Sequence, residues 1–306
     1  MTPPSLGHPA TVLPFWTWQL VVALIVNVVV QAIQLGAYAA RLAGVRTGRI
    51  ATSISLFNLF VTASRLATLV YTLMLGPLSD TAGNAIKTIL TKTPAHAIPT
   101  AHVQLIAAIQ NTFQWQLRAI IIAGTVGTLL GSLLLPMFTY LYVRGVRSFE
   151  RTKSLPHSML KLLDPRAIAD VLRRVRLPHY SEIFSFSLRG IPRRLLIFNV
   201  VVTGIYAIGV VAAYYASVLD VNVARTAIGI SGIVNGIGTV AFTLFVDPTS
   251  SIIVDEAVKG ERSHEEVKAM VFYLSVTAIA GWLLSQLILW PAAEAIKIVA
   301  HLVNGG

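Results

Sequence analysis

The chain has no cysteine. Disulfides, thiol nucleophiles and thiolate metal sites are therefore excluded. Charge is also scarce. Asp, Glu, Lys and Arg supply 12% of the 306 residues, whereas soluble domains carry about 25%. Neither acids nor histidines occur in the apolar cores of the long hydrophobic runs. An intramembrane Ser–His hydrolase would lack its base. The His-Glu-x-x-His zinc spacing is absent, and His157, His179 and His264 show no ligand spacing. Gly236-Ile237-Gly238 is followed by Thr239, not by the Asp of an intramembrane aspartyl protease. No glycine-rich turn carries the Lys of a phosphate loop. No cofactor is expected.

What the chain does have is hydrophobicity: 55% apolar residues and a mean hydropathy of +0.71. Six runs are long and nearly uncharged, over about 16–40, 50–76, 119–143, 195–219, 226–246 and 269–291. Each approaches or exceeds the roughly 20 residues that span a bilayer as helix. Helix satisfies the backbone inside each segment, which lipid demands. The expected fold is all-α, one polytopic integral membrane bundle of six transmembrane helices covering residues 1–306. A seventh, cytoplasmic amphipathic helix is expected over 165–177. Asp164 and Pro165 start it, Ile168, Val171, Leu172 and Val175 form its apolar stripe, and Pro178 ends it.

The net charge of +11 is read against the membrane, not as a nucleic-acid footprint. Arg41, Arg46 and Arg49 fill the loop after the first run, and twelve Lys/Arg against four acids fill residues 144–194. The positive-inside rule makes that side cytoplasmic and both termini extracytoplasmic. Anionic phospholipids are the expected partners of the basic loop. Residues 77–99 read as irregular, rich in Thr, Pro and Gly. Asp247-Pro248 reads as a helix stop. Ser263 and Glu266 have capping-box spacing.

Arg65 is the only charge between Ile50 and Gly76. A charge at the bilayer centre costs about 2.5–3.5 kcal/mol on insertion scales, so an interior or watery setting that handles an anion is expected. Asn58 and Thr62 precede it at helical spacing. Asn27, Gln31 and Gln34 form a similar stripe in the first run, and Asn235 lies in the fifth. These faces are expected to converge on a hydrated cavity. Helix-to-helix hydrogen bonding is the alternative use of each amide, and carbonyl binding the alternative for Arg65. Asp247 is a candidate for ion coupling. Weak internal similarity links Phe57-Asn58 to Phe198-Asn199, and the glycines at 124, 127 and 131 to those at 229, 232 and 236.

The stretch Arg41-Leu42-Ala43-Gly44-Val45-Arg46-Thr47-Gly48-Arg49 through Phe57-Asn58 to Ser64-Arg65, with Phe245-Val246-Asp247-Pro248, resembles the Amj family of bacterial alternate lipid II flippases. The resemblance runs from about Gln19 to Pro291. It implies transport of lipid II, the undecaprenyl-pyrophosphate-linked peptidoglycan precursor, from the inner to the outer leaflet of the plasma membrane. It implies no residue roles. Placed on that cargo, Arg41, Arg46, Arg49, Arg189, Arg193 and Arg194 would attract the pyrophosphate. Arg65 would hold it at mid-depth, and Arg118 and Arg225 would receive it on exit. A membrane scaffold and a polyprenyl-phosphate enzyme stay open as other readings. A homodimer sharing the pathway is compatible with so small a bundle.

Overall fold

A backbone surrounded by hydrocarbon must bond to itself, and the described part of this chain does so with helix. A computed structural model describes residues 13–92, 99–153 and 186–305. Among them are α1 (Trp18–Gly36), α2 (Ala39–Thr47), α3 (Ile50–Thr91), α4 (Thr100–Leu133), α5 (Leu135–Thr152), α6 (Arg193–Leu219), α7 (Ala224–Ala241), α8 (Asp247–Val258) and α9 (His264–Val303). A π turn, Phe242–Val246, joins α7 to α8. Six segments are long and apolar enough to cross a membrane: Trp18–Thr47, Ile50–Thr91, Thr100–Leu133, Arg193–Leu219, Ala224–Val258 and His264–Val303. The chain is a polytopic helical membrane protein. The expected amphipathic helix at 165–177, His157 and His179 lie outside the described residues.

Three boundaries differ from expectation. Residues 77–91 are helical, not irregular, because α3 continues through Pro77. Leu78, Ala82 and Ile86, at intervals of four, are buried there and hold the extension against the bundle. The third run divides at Leu134, just before Pro136, so that its end becomes the separate helix α5, packed on α2. Asp247-Pro248 does not stop its helix. Pro248 has no N–H to donate, and the widened π turn just before it carries the helix on to Val258. The capping box forms half as expected: the Ser263 hydroxyl accepts from the Glu266 N–H at 3.2 Å, while the Glu266 carboxylate turns to Arg262.

Among the described residues the packing forms a ring that is open on one side. Around α6 the neighbours run α3, α4, α9, α7, each touching the next, but α7 and α3 make no substantial contact. α1 fills the outside of the α3–α4 seam. Glycine makes the α1–α4 contact tight. A Cβ on Gly127 would lie 2.4 Å from the Val28 carbonyl oxygen, and one on Gly131 2.6 Å from that of Ala32. The similarly spaced Gly229, Gly232 and Gly236 of α7 have nothing within 4 Å among the described residues. The rest of the protein covers 17% of the apolar window of α3 and 11% of that of Ala224–Val258, against 56% for α6. The open side of the ring is therefore flanked by two nearly bare helices.

Candidate functional site

The buried apolar residues fall into two clusters, one toward each end of the bundle. The first includes Leu20, Tyr71, Leu75, Ala207, Ile230 and Trp282; the second includes Leu35, Phe57, Val202, Val246 and Ala278. Between them five of the long helices change character. α1 contributes Asn27, Gln31 and Gln34, α3 Thr62, Ser64 and Arg65, α6 Thr203 and Gly204, α7 Asn235 and Thr239, and α9 Gly281. The result is a belt of amides, hydroxyls and glycines at mid-height.

Much of the belt is internally satisfied. The Asn27 amide donates to the Ile120 carbonyl at 2.9 Å and accepts from Gln31 at 3.0 Å. Thr62, Ser64, Thr68 and Thr239 donate to carbonyls of the preceding turn, as hydroxyls in membrane helices commonly do. Tyr206 donates to Thr239 across the α6–α7 contact at 2.5 Å. The Asn235 carbonyl oxygen is buried against Gly209 without a donor. Gln34 is half-buried.

The two predicted stripes do not converge, and this corrects the single-cavity expectation. Asn27 is buried and serves as helix-to-helix glue. Asn58, Thr62 and Arg65 are exposed, among Leu66, Leu69 and Leu73 on the bare side of α3. Arg65, Thr72 and Ser79 recur at seven-residue intervals and so share a face. Ser79 Oγ meets Ser217 Oγ of α6 at 2.9 Å, and the Tyr214 hydroxyl donates to the Thr72 carbonyl at 3.4 Å. Two turns on, Arg65 makes no hydrogen bond or ion pair with any described residue. α3 thus parts from α6 between Thr72 and Arg65, on the open side of the ring. At 1.5 Å per residue Arg65 stands about 22 Å from the start of α3, at the level of the belt.

Below Arg65 the opening closes. Arg41, expected with Arg46 and Arg49 to attract the pyrophosphate at the cytoplasmic face, does not lie on the surface beside them. Arg41 is 8% exposed. Its Nη2 donates to Asp247 at 3.0 Å and its Nε to Ser250 at 3.1 Å, while Nη1 is buried without a partner. The guanidinium lies 5.2 Å from the ring centres of both Tyr38 and Phe57. The small residues around it, Ala39, Ala40, Ala43 and Gly44, let α2 sink in, and the Ser53 hydroxyl of α3 donates to the Ala40 carbonyl. Arg41, Gly44, Ser53, Phe57, Asp247 and Ser251 line a cavity of about 20 Å³, room for about one water molecule. Ser53 and Ser250, which carried no recognisable sequence signal, complete this cluster. Nearby, Tyr38 donates to Asn199, whose amide donates in turn to the Leu274 carbonyl and to Thr277. Asn58 and Asn199, paired in the suspected repeat, therefore have unlike settings.

The other predicted cations are dispersed. Arg46 is exposed, and Arg49 pairs with Glu150 at 2.6 Å on the surface, an arrangement worth little energy. Arg189, Arg193 and Arg194 are exposed at the same end. Arg118 is engaged: it donates to the Gln286 carbonyl at 2.8 Å, receives the Gln286 amide at 3.0 Å, and lies over Trp115. Arg225 is exposed near the opposite end. Arg144, Arg147 and Arg151, part of the basic 144–194 stretch, line a groove on α5 with Tyr140 and Ser148, as their i, i+3, i+7 spacing allows.

Comparison with known proteins fits this geometry. No solved structure matches the chain. A curated protein named lipid II flippase Amj, from Bacillus subtilis (strain 168), is 34% identical over 265 residues, covering 86% of this chain and 90% of that protein. The family pattern described as Amj, alternate to MurJ, matches residues 26–300. With that match spanning both apolar clusters and the belt between them, the chain is a member of the Amj family.

Proposed function

We propose that the chain is a lipid II flippase that moves the undecaprenyl-pyrophosphate-linked precursor from the cytoplasmic to the outer leaflet of the bacterial plasma membrane. The observation that carries the reading is the 34% identity to a named lipid II flippase over nearly the whole bundle. The open side of the ring supports it. An isolated ion moved into a low-dielectric medium costs tens of kcal/mol by Born estimates. A laterally open groove keeps the headgroup beside the polar belt and leaves the isoprenoid in lipid. Arg65, unpaired among the described residues and near mid-depth, offers the planar donor fork suited to a diphosphate. Asn58, Thr62 and Asn235 are assigned to the same path.

On this reading the arginine-rich end is cytoplasmic, as the positive-inside bias favours, and both termini are extracytoplasmic. Arg46, Arg49, Arg189, Arg193 and Arg194 gather the headgroup and anionic phospholipids there, and Arg225 stands on the exit side. The reading extends to a homodimer, because six spans form a small wall for a disaccharide–pentapeptide headgroup. Liposomes provide the test. Purified chain should speed the exposure of inner-leaflet lipid II to an impermeant reagent, without altering its chemistry. A rate equal to that of empty liposomes contradicts transport, and conversion of lipid II to another compound identifies an enzyme.

A further inference from the structure

Arg41 and Asp247 join the two flanks of the open groove. Arg41 sits on α2, which packs on α3, and Asp247 begins α8, which continues α7 through the π turn. Their ion pair therefore closes, at the arginine-rich end, the side of the ring that stays open at the belt. The pair is asymmetric: the Arg41 side chain is 8% exposed and that of Asp247 is 39% exposed. The acid stands at the mouth and the guanidinium behind it. Arg41 also has more donors than partners among the described residues, because Nη1 is buried with none there. Two aromatic rings and Ser250 hold the guanidinium in place. A rigid, buried, incompletely satisfied guanidinium with a removable carboxylate in front is the geometry of an anion seat occupied by an internal stand-in.

We propose that Asp247 occupies the anion seat of Arg41 at rest, and that a diphosphate-bearing lipid displaces it and so unlatches α2 from α8. The identity of the natural ligand rests on the flippase reading; the displacement rests on the geometry. The π turn supplies a hinge. The Asp247 N–H bonds the Phe242 carbonyl five residues back, and a return to four-residue spacing would rotate Asp247 by about 100° relative to α7. That rotation withdraws the carboxylate without unfolding the helix.

Binding of undecaprenyl pyrophosphate in detergent, with undecaprenol as the uncharged control, tests the idea. Asp247→Asn removes the internal competitor and should tighten undecaprenyl pyrophosphate binding by about tenfold. Undecaprenol binding should not change. Arg41→Gln should weaken diphosphate binding and abolish the gain in the double variant. No gain from Asp247→Asn, or a gain that survives Arg41→Gln, overturns the proposal; the second result would mean general electrostatics. The unaltered chain gives an independent readout. Undecaprenyl pyrophosphate, but not undecaprenol, should speed hydrogen exchange over Asp247–Val258 at least about threefold, as local opening requires. Unchanged exchange overturns the proposal even if a variant misfolds. If these effects appear but lipid II does not cross liposomes, the seat stands and the flippase reading fails.

Discussion

Arg65→Gln is expected to slow lipid II transport by about 100-fold while leaving the bundle as stable as before. The two halves of this prediction have separate physical sources. Hydrogen bonds to charged groups contribute about 1.5–3 kcal/mol each, and a bidentate grip on a diphosphate loses two. A factor of 100 corresponds to about 2.7 kcal/mol, just under the roughly 3–6 kcal/mol of two such bonds. Stability should hold because Arg65 is exposed and bonds to no described residue. Removing a charge from hydrocarbon depth costs the fold nothing and relieves an insertion penalty. Arg65→Lys should retain part of the rate, since a point charge attracts phosphate without the planar fork. Transport rates at matched protein density, with thermal unfolding of the same samples, measure both halves. Full transport by the Gln variant would remove Arg65 from the path.

The second large effect is structural, and it comes as a contrast. Gly127→Leu should prevent the chain from accumulating as a folded, monodisperse species, whereas Gly232→Leu should be tolerated. A Cβ at 127 would meet the Val28 carbonyl oxygen at 2.4 Å and its Cα at 2.9 Å. These are backbone atoms of α1, which cannot rotate away. Overpacking a well-filled core costs about 1–3 kcal/mol, occasionally more, and here a whole helix must shift. At Gly232 nothing lies within 4 Å. Size-exclusion chromatography of the detergent-extracted variants distinguishes the two. Equal loss at both positions would mean that the bare face of α7 is covered in the functional assembly.

The same contrast shows what the sequence could and could not reveal. Hydropathy located all six spans, because hydrocarbon enforces one pattern on every segment that crosses it. Periodicity then identified which residues share a face, but not what the face meets. Asn27–Gln31 and Asn58–Thr62 have the same spacing, yet one lies inside and the other outside. The difference lies in which neighbours approach α1 and α3, and that information is distributed over other helices. Both glycine series have equal spacing, and only one receives a partner.

Arg41 was misplaced for a related reason. The positive-inside rule treats every arginine beside a span alike, so Arg41 was grouped with Arg46 and Arg49. The small residues around it, Ala39, Ala40, Ala43 and Gly44, were the local sign of close packing. Its acid partner lies 206 residues away, beyond the reach of any local pattern. Asp247-Pro248 reads as a helix stop because proline breaks the hydrogen-bond ladder; the π turn that absorbs the break packs against α6, outside the local sequence. Arg65, by contrast, was recognisable at once, since a lone charge in an apolar run needs no tertiary information to stand out.

On the proposed path, the flank of α3 carrying Asn58, Thr62 and Arg65 is wet and lines the headgroup's route. The absence of native cysteine makes one measurement direct. Single cysteines at positions 58, 62 and 65, and at Leu73 as a lipid-facing control, can be reacted with a hydrophilic thiol reagent in proteoliposomes. The account predicts labelling at 58, 62 and 65, slowed by lipid II, and little labelling at 73. Three belt positions as unreactive as 73, with or without lipid II, would contradict it.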